Sequence, residues 1–363
     1  MRIVHLSDIH LSSSNYQEFK DTYRDALIRD LLEFNDEKKI DIIVITGDLV
    51  DSGGHSLYKI KGYQDKKKYP SPYYIFEEVF ITPIIKKLNF PKENFLFIPG
   101  NHDIDESAIL LKNEYDLTEN LDSENIYKHL KENISFRHSK RIKQFKKFEE
   151  YFHTGKSNYI FSNNESVFNY NYDNVNVGFI LINDSWRCRS QKFDIDKKLM
   201  FGYRQFYNGL NTLKQFDTKV NIALIHHPID NFQEKEAIVR CLNISNIGLY
   251  LYGHFHSSDF EKHYEGSVDK CFGIRGRASL NKVNELESSY QPGYQIIDLN
   301  FLVSAKITCI RYRQYQYKLN HFDFDSSVCL NGIDEGSSGK GFEISNCLKV
   351  SKNLFNKDLF VLK

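Results

Sequence analysis

Short apolar runs that stop abruptly at polar residues dominate the pattern of this chain. Ile3 to Leu6 runs into Ser7-Asp8-Ile9-His10, and Ile42 to Ile45 into Thr46-Gly47-Asp48. Phe95 to Ile98 ends at Pro99-Gly100-Asn101-His102-Asp103, and Val177 to Ile182 at Asn183-Asp184. Ile222 to Ile225 ends at His226-His227-Pro228, and Leu249 to Tyr252 at Gly253-His254-Phe255-His256. Runs of four to six residues rich in Ile, Val, Leu and Phe read as buried strands. Between them, apolar residues fall at helical spacing: Tyr23, Ala26, Leu27, Leu31 and Phe34 within 16–34, with similar patterns over 203–216 and 234–242. Strands alternating with helices predict an α/β architecture with a largely parallel or mixed sheet, where ligands bind outside the carboxyl ends of the strands. Turn chemistry explains Gly, Asn, Asp, Ser and Pro at those ends, but not repeated histidines.

Two segments interrupt the series. Residues 51–74 are rich in Gly, Lys and Tyr and predict a loop. Residues 104–156 are charged and helical in pattern, with Ile142, Phe145, Phe148 and Phe152 on one face, and are expected to cover one rim of the site. This segment carries a basic run: Arg137, Lys140, Arg141, Lys143, Lys146 and Lys147. The apolar stripe takes the core side and Glu149 and Glu150 follow, so the lysines and Arg141 are expected on a solvated face. After Cys271 the pattern turns to β, with strands expected over 272–274 and 294–299 and a hairpin over 305–312. Residues 326–341, rich in Ser, Gly and Asp, read as a linker, and 342–363 are too few to bury a core alone. The expected organisation is one domain over 1–313, with the insertion at 104–156, then a C-terminal extension over 314–363.

Composition narrows the classes. The 363 residues are 41% hydrophobic and 26% charged, ordinary for a globular chain. Forty-eight basic residues balance 48 acidic ones, so a polyanion would be steered by a local patch and not by the whole field. The six cysteines are widely spaced without a C-x-x-C pair and read as reduced, small hydrophobes. The apolar start at Ile3 to Leu6 is too short for a secretory leader, and no stretch approaches the ~18 apolar residues of a membrane span. A cytoplasmic chain away from membranes is expected.

The strand-end residues are metal donors. Asp and His ligate directly, and Asn through its carbonyl oxygen. A mixed nitrogen and oxygen set suits Mn, Fe or Zn better than Mg or Ca. Asp8, His10, Asp48, Asn101, His226, His254 and His256 are too many for one tetrahedral ion; if Asp48 bridges, they divide between two. Two ions about 3.5–4 Å apart can clamp the attacking and leaving oxygens of a displacement at phosphorus, and lower the pKa of bound water towards about 7.

Asp8-Ile9-His10, Gly47-Asp48-Leu49-Val50-Asp51, Gly100-Asn101-His102-Asp103, His226-His227-Pro228 and Gly253-His254-Phe255-His256 together resemble the calcineurin-like metallophosphoesterases. Each motif alone is weak; five in the family's order, each ending an apolar run, are specific, and the resemblance covers about residues 1–313. It implies an αββα sandwich of two mixed sheets with outer helices. It implies one metal held by Asp8, His10, Asp48 and His256, and a second by Asp48, Asn101, His226 and His254, with His227 a neighbour. It implies a metal-bound hydroxide as nucleophile, His102 as acid or transition-state stabiliser, and Asp51 orienting His102. The expected activity is phosphate-ester hydrolysis, foremost of phosphodiesters. A nuclease similar to double-strand-break repair subunits, with a nucleic-acid partner, is an alternative not favoured by the neutral charge; a non-catalytic scaffold is a second. Asn183-Asp184-Ser185-Trp186 either reaches the pocket rim or only turns the chain. His5 is expected buried, and spacing alone leaves Arg275 and Arg277 unplaced.

Overall fold

The computed structural model describes residues 1–122, 125–132, 140–188, 199–256, 271–280, 290–302, 304–336 and 339–344. Arg137, Cys347 and the final stretch from 345 lie outside the described residues.

Two mixed sheets form the centre. In the first, β1 (Arg2–Leu6), β2 (Ile42–Thr46) and β3 (Phe95–Ile98) run parallel. Antiparallel to β1 follow β10 (Gly293–Asn300), β11 (Lys306–Gln316) and β12 (His321–Phe324). The second holds β4 (Tyr159–Ile160), β5 (Glu165–Tyr172), β6 (Val175–Ile182), β7 (Val220–Leu224), β8 (Ile247–Tyr252) and β9 (Phe272–Arg275) in that order, parallel from β6 onwards.

The strand sequences explain the layering. Successive side chains point to opposite faces. Ile3, Ile42, Val44, Leu96 and Ile98 share one cluster with Phe179, Leu181, Ile222, Leu224, Leu249 and Leu251, which is the interior between the sheets. The alternate residues Val4, Leu6, Ile43, Ile45, Phe95 and Phe97 pack outwards on the helices Arg24–Glu37, Thr82–Leu88 and Lys143–Phe152. Ile180, Ile182, Ala223, Ile225, Tyr250 and Tyr252 pack on Arg204–Leu213 and Lys235–Ile244. Both faces of each sheet are covered, which is why the parallel strands read as unbroken apolar runs. The result is the expected αββα sandwich.

Several expectations change. The first helical stretch is interrupted by a π-helical turn over Phe19–Tyr23. The segment read as a loop holds a 3-10 helix, Ser52–Lys59, and a helix beginning at Pro72. In the insertion, Ile142, Phe145, Phe148 and Phe152 do face the core, but they place Lys143–Phe152 in the outer layer against Phe97 and Tyr73. The basic run is not uniformly solvated. Lys140, Lys143 and Lys147 are exposed, whereas Arg141 and Lys146 are buried. Lys146 Nζ sits 2.5 Å from Glu149 Oε2, one turn away, and Glu149 also accepts from Tyr159 at 2.7 Å. Arg141 pairs with Glu114 and donates to the Cys188 carbonyl at 3.1 Å. A lysine one turn before a buried glutamate can enter the core as half of an ion pair, which a count of charges does not reveal.

Position 313 falls inside β11, whose outer edge also pairs with β13 (Ile333–Asp334) and β14 (Phe342–Glu343). The linker-like composition there lies along a sheet edge, anchored by a buried ion pair between Arg277 and Asp325. Of the described cysteines, four are buried and Cys329 is half-buried, all as free thiols. His5 is buried, with Nε2 2.9 Å from the Thr46 hydroxyl.

Candidate metal centre

The carboxyl ends of β1, β2, β3, β7 and β8 meet at one place. The loops after β1 and β2 run side by side: Asp8 N–H donates to the Gly47 carbonyl at 3.1 Å, and Ile9 and His10 N–H to the Asp48 carbonyl at 2.8 and 2.9 Å. The second sheet locks on through His254 N–H, which donates to Asp8 Oδ2 at 3.0 Å. Asp8, His10, Asp48 and His254 adopt positive φ of 50°, 47°, 54° and 76°. Such backbone costs about 1–3 kcal/mol per residue and persists only where surroundings over-determine it. Two glycines make the close approach possible: a Cβ on Gly47, itself at φ +96°, would strike the His226 ring, and one on Gly100 the Asp48 carboxylate.

Each carboxylate is fixed by one oxygen and presents the other. Asp48 Oδ1 accepts His102 N–H at 2.7 Å, and Asp8 Oδ2 accepts from His254 and the Ser7 hydroxyl. Asp48 Oδ2 and Asp8 Oδ1 are buried without a hydrogen-bond partner. Around them gather two sets of donor atoms. In the first, His10 Nε2 lies 3.8 Å from Asp8 Oδ1, 3.7 Å from Asp48 Oδ2 and 3.1 Å from His256 Nε2, which is 3.7 Å from Asp8 Oδ1. In the second, His226 Nε2 lies 3.4 Å from Asp48 Oδ2 and 2.9 Å from Asn101 Oδ1, itself 3.0 Å from His254 Nδ1. Asp48 Oδ2 belongs to both.

The tautomer of His226 tests what fits between these atoms. Its Nδ1–H donates to the Thr46 carbonyl at 2.7 Å, which leaves the Nε2 lone pair facing two oxygens. Lone pairs so aligned repel unless a cation lies among them. Atoms bound about 2.1 Å from one ion stand roughly 3.0–3.5 Å apart, close to the separations seen. The donor set fits divalent cations. The site favours positive charge at this point: burial works against an imidazolium at His226, yet the Asp48 charge outweighs it and pushes the pKa up to about 10, so a proton on Nε2 and a cation compete for the same place. Burial would raise Asp48, but His226 and His10 hold it well below the usual carboxylate range. Burial takes His254 down to about 2 and lowers His10.

His102 stands beside the two sets. Its Nδ1–H donates to Asp51 Oδ1 at 2.9 Å, and its ring meets His10 edge to face at 4.4 Å between centroids. Its side chain is 38% exposed. Burial lowers the His102 pKa, but the Asp51 hydrogen bond and the Asp48 charge outweigh it and the pKa is raised; the hydrogen bond to His102 lowers that of Asp51.

His227 offers a nitrogen within 4.8 Å of those of His226 and His254, but its Nδ1 lies 3.4 Å from Asp184 Oδ2 and its Nε2 3.6 Å from Cys188 Sγ. Asp184 is a residue whose role the sequence left open. It is buried beneath the centre, where Oδ2 accepts the N–H groups of His226 and His227 at 2.9 and 2.8 Å. Its signal was present: it ends an apolar run as the donor residues do. Asp103 was also passed over; it accepts N–H groups of Leu49, Val50 and Gly100 at 3.2, 3.3 and 2.9 Å and ties the β2 loop to the β3 loop. Arg275 lies over Phe255 at 5.3 Å and Arg277 pairs with Asp325, both buried.

Residues 1–258 match the family described as calcineurin-like phosphoesterase. The chain belongs to that family. Its members depend on two metals, and the clustered Asp and His side chains are groups able to hold them. YydB of Bacillus subtilis strain 168, a metallophosphoesterase-like protein, is 24% identical over 279 residues, 72% of this chain and 50% of the relative. The chain thus spans about half the length of that relative. Among solved structures, the calcineurin-like phosphoesterase YfkN of Bacillus subtilis is similar with a TM-score of 0.46 and 13% identity, covering 90% of this chain and 94% of that one. A dimetal phosphatase from Danio rerio gives 0.43 and 12%, covering 86% and 95%. Among the described residues, no helix is long and apolar enough to cross a membrane.

Proposed function

We propose that this chain hydrolyses phosphate esters, with phosphodiesters the preferred class, at a dinuclear metal centre. Asp8, His10, Asp48 and His256 hold one ion; Asp48, Asn101, His226 and His254 hold the other. The single observation that carries the reading is Asp48 Oδ2, buried, without a hydrogen-bond partner, and common to both donor sets. The nitrogen and oxygen donors suit Mn, Fe or Zn. Bound there, the two ions supply Lewis acidity and an activated water-derived nucleophile.

The protein's own residues do the rest. Asp51 accepts from His102 Nδ1 and so leaves Nε2 as the proton-bearing atom for the leaving oxygen. The Asp51 hydrogen bond and the Asp48 charge raise the His102 pKa and so favour the protonated acid. His102 N–H in turn braces Asp48, so one backbone hydrogen bond fixes the acid relative to the bridge. Phosphodiesters are favoured because the nearby arginines are engaged elsewhere: Arg275 is buried against Phe255 and Arg277 pairs with Asp325. A monoester dianion calls for cations that a diester monoanion does not.

The test is a panel with Mn²⁺: an aryl phosphodiester, an aryl phosphomonoester, cyclic nucleotides, and single- and double-stranded DNA and RNA. Turnover of the aryl diester, abolished by chelator and restored by Mn²⁺, is expected. Two bound metals per chain with no turnover on any ester would reject hydrolysis in favour of a scaffold.

A further inference from the structure

Among the described residues, a basic surface lies beside the loops that carry His10 and Asp51. Residues 58–69 hold five lysines, three tyrosines and one acid, Asp65, in a chain of zero net charge. Lys59, Lys61, Lys66, Lys67 and Lys68 are all exposed. The loop is tied to itself: Tyr58 hydroxyl donates to the Tyr69 carbonyl at 2.9 Å, and Tyr69 N–H to the Asp65 carbonyl at 2.8 Å. Asp65 Oδ1 accepts the backbone N–H groups of Lys67 and Lys68 at 2.8 and 3.4 Å, and its single charge offsets only one of the five lysines. Glu78 takes the hydroxyls of Tyr63 and Tyr69 and reaches only Lys68, at 3.9 Å. Lys66 lies over Tyr58 at 5.1 Å, Lys68 over Tyr69 at 4.7 Å, and Lys20 over Tyr16 at 5.9 Å. Ammonium groups are thus set at aromatic faces and largely free of counter-ions.

The loop is joined to the connections after β1 and β2 that line the first-sheet side of the site. The 3-10 segment Ser52–Lys59, kinked at Gly53 and Gly54, leads from Asp51 to it. Ser13 N–H, three residues beyond His10, donates to Ser56 Oγ at 3.1 Å. The Tyr16 ring, in the same connection, meets Tyr63 at 6.0 Å, and Tyr63 meets Tyr69 at 5.1 Å.

We propose that this lysine–tyrosine surface, formed by residues 58–69 with Tyr16 and Lys20, binds single-stranded nucleic acid and delivers it to the metal centre as substrate. Spaced ammonium groups match a phosphodiester backbone, and the half-buried rings of Tyr16, Tyr58 and Tyr63 offer aromatic surface on which unpaired bases stack. A duplex hides those bases, so the single strand is the better fit. The role as substrate rests on the hydrolase reading; the binding surface does not.

Binding and cleavage are therefore measured apart. With chelator present, anisotropy of fluorescein-labelled (dT)20 and (rU)20 is followed against salt for the full chain and for Lys61→Gln/Lys66→Gln/Lys67→Gln. Each lost phosphate contact removes about 0.7 from the slope of log K against log salt on single strands, so the triple variant is expected to flatten it by about 2. Lys143→Gln/Lys147→Gln, exposed on the other basic segment, is expected to leave the slope unchanged. Equal slopes for the parent and the triple variant overturn the surface. So does a lysine-dependent affinity for vesicles containing 30% phosphatidylserine without affinity for either oligonucleotide. Adding Mn²⁺ tests delivery: cleavage of the bound strand is expected, with KM raised in the triple variant. Strand binding without cleavage, from a protein that turns over an aryl diester, overturns the strand as substrate. No turnover of any ester, with the slope change intact, overturns the hydrolase reading and leaves the surface standing.

Discussion

The two sheets furnish their halves of the centre by different means. The first supplies both carboxylates, Asp8 and Asp48, buried on left-handed backbone, each pinned through one oxygen by an N–H from another loop. The second supplies imidazoles. His226 is held from behind, by Asp184 on its N–H and by the Thr46 carbonyl on its ring. His256 stands at the mouth, its side chain 35% exposed. The negative charge lies entirely in the first half, which also contributes His10 and Asn101, while the second half contributes neutral imidazoles alone. Damage to the first half should remove the metals; damage to the supports of the second should only weaken them.

Asp48→Asn probes this contrast most severely. Asparagine keeps an oxygen for His102 N–H but loses the charge shared by both donor sets. Turnover of an aryl diester is expected to fall to background, with elemental analysis giving less than one metal per chain. Two metals and near-normal turnover would refute the bridge.

His102→Ala should spare both metals, since the backbone N–H that braces Asp48 is kept and only the ring's edge contact with His10 is lost. The rate is expected to fall about 10²–10⁴-fold, the usual contribution of a general acid, and further for alkyl than for p-nitrophenyl leaving groups. Equal losses on the two would leave His102 a role in charge stabilisation alone.

Asp184→Ala tests the support beneath the second half. Supporting partners of metal ligands typically matter 10–100-fold, so one step of a Mn²⁺ titration should weaken by about that factor while the other holds. If neither step moves, Asp184 is a turn residue and no more. Some stability will also go, because the two N–H groups it satisfies are left buried, at about 1–3 kcal/mol each.

Asp51→Asn should have the smallest effect, about 10-fold at the lower end of that range. Its signature lies in pH. A neighbouring carboxylate raises the His102 pKa by stabilising the imidazolium, so removing the charge lowers it. The protonated acid is then lost at lower pH, and the basic limb of the rate profile should move down. A limb that stays in place would separate Asp51 from His102.

Much of this was legible in the primary structure. Parallel strands covered on both faces must be apolar throughout, so β1, β2, β3, β7 and β8 announced themselves, and donor residues at their ends stood out against turn chemistry. The strand β5 did not, because Glu165, Asn169 and Asn171 break its apolar run and it lies towards the edge of its sheet. The partner strands on β11 were hidden for the same reason: short edge strands gain their order from backbone pairing, which leaves little trace in side chains.

The sequence by itself determined the layer architecture, the family and which residue types could gather at the strand ends, since these follow from periodicity and from the order of five motifs along one chain. Only the tertiary structure decided how they meet. One oxygen of Asp48 shared by two donor sets, Asp184 under His226, and Lys146 buried while Lys66 and Lys67 stay exposed all depend on contacts between residues distant along the chain. The same ammonium group is stable inside when a carboxylate such as Glu149 enters with it, and outside when water serves instead. That choice is made by what packs opposite, which no local pattern carries.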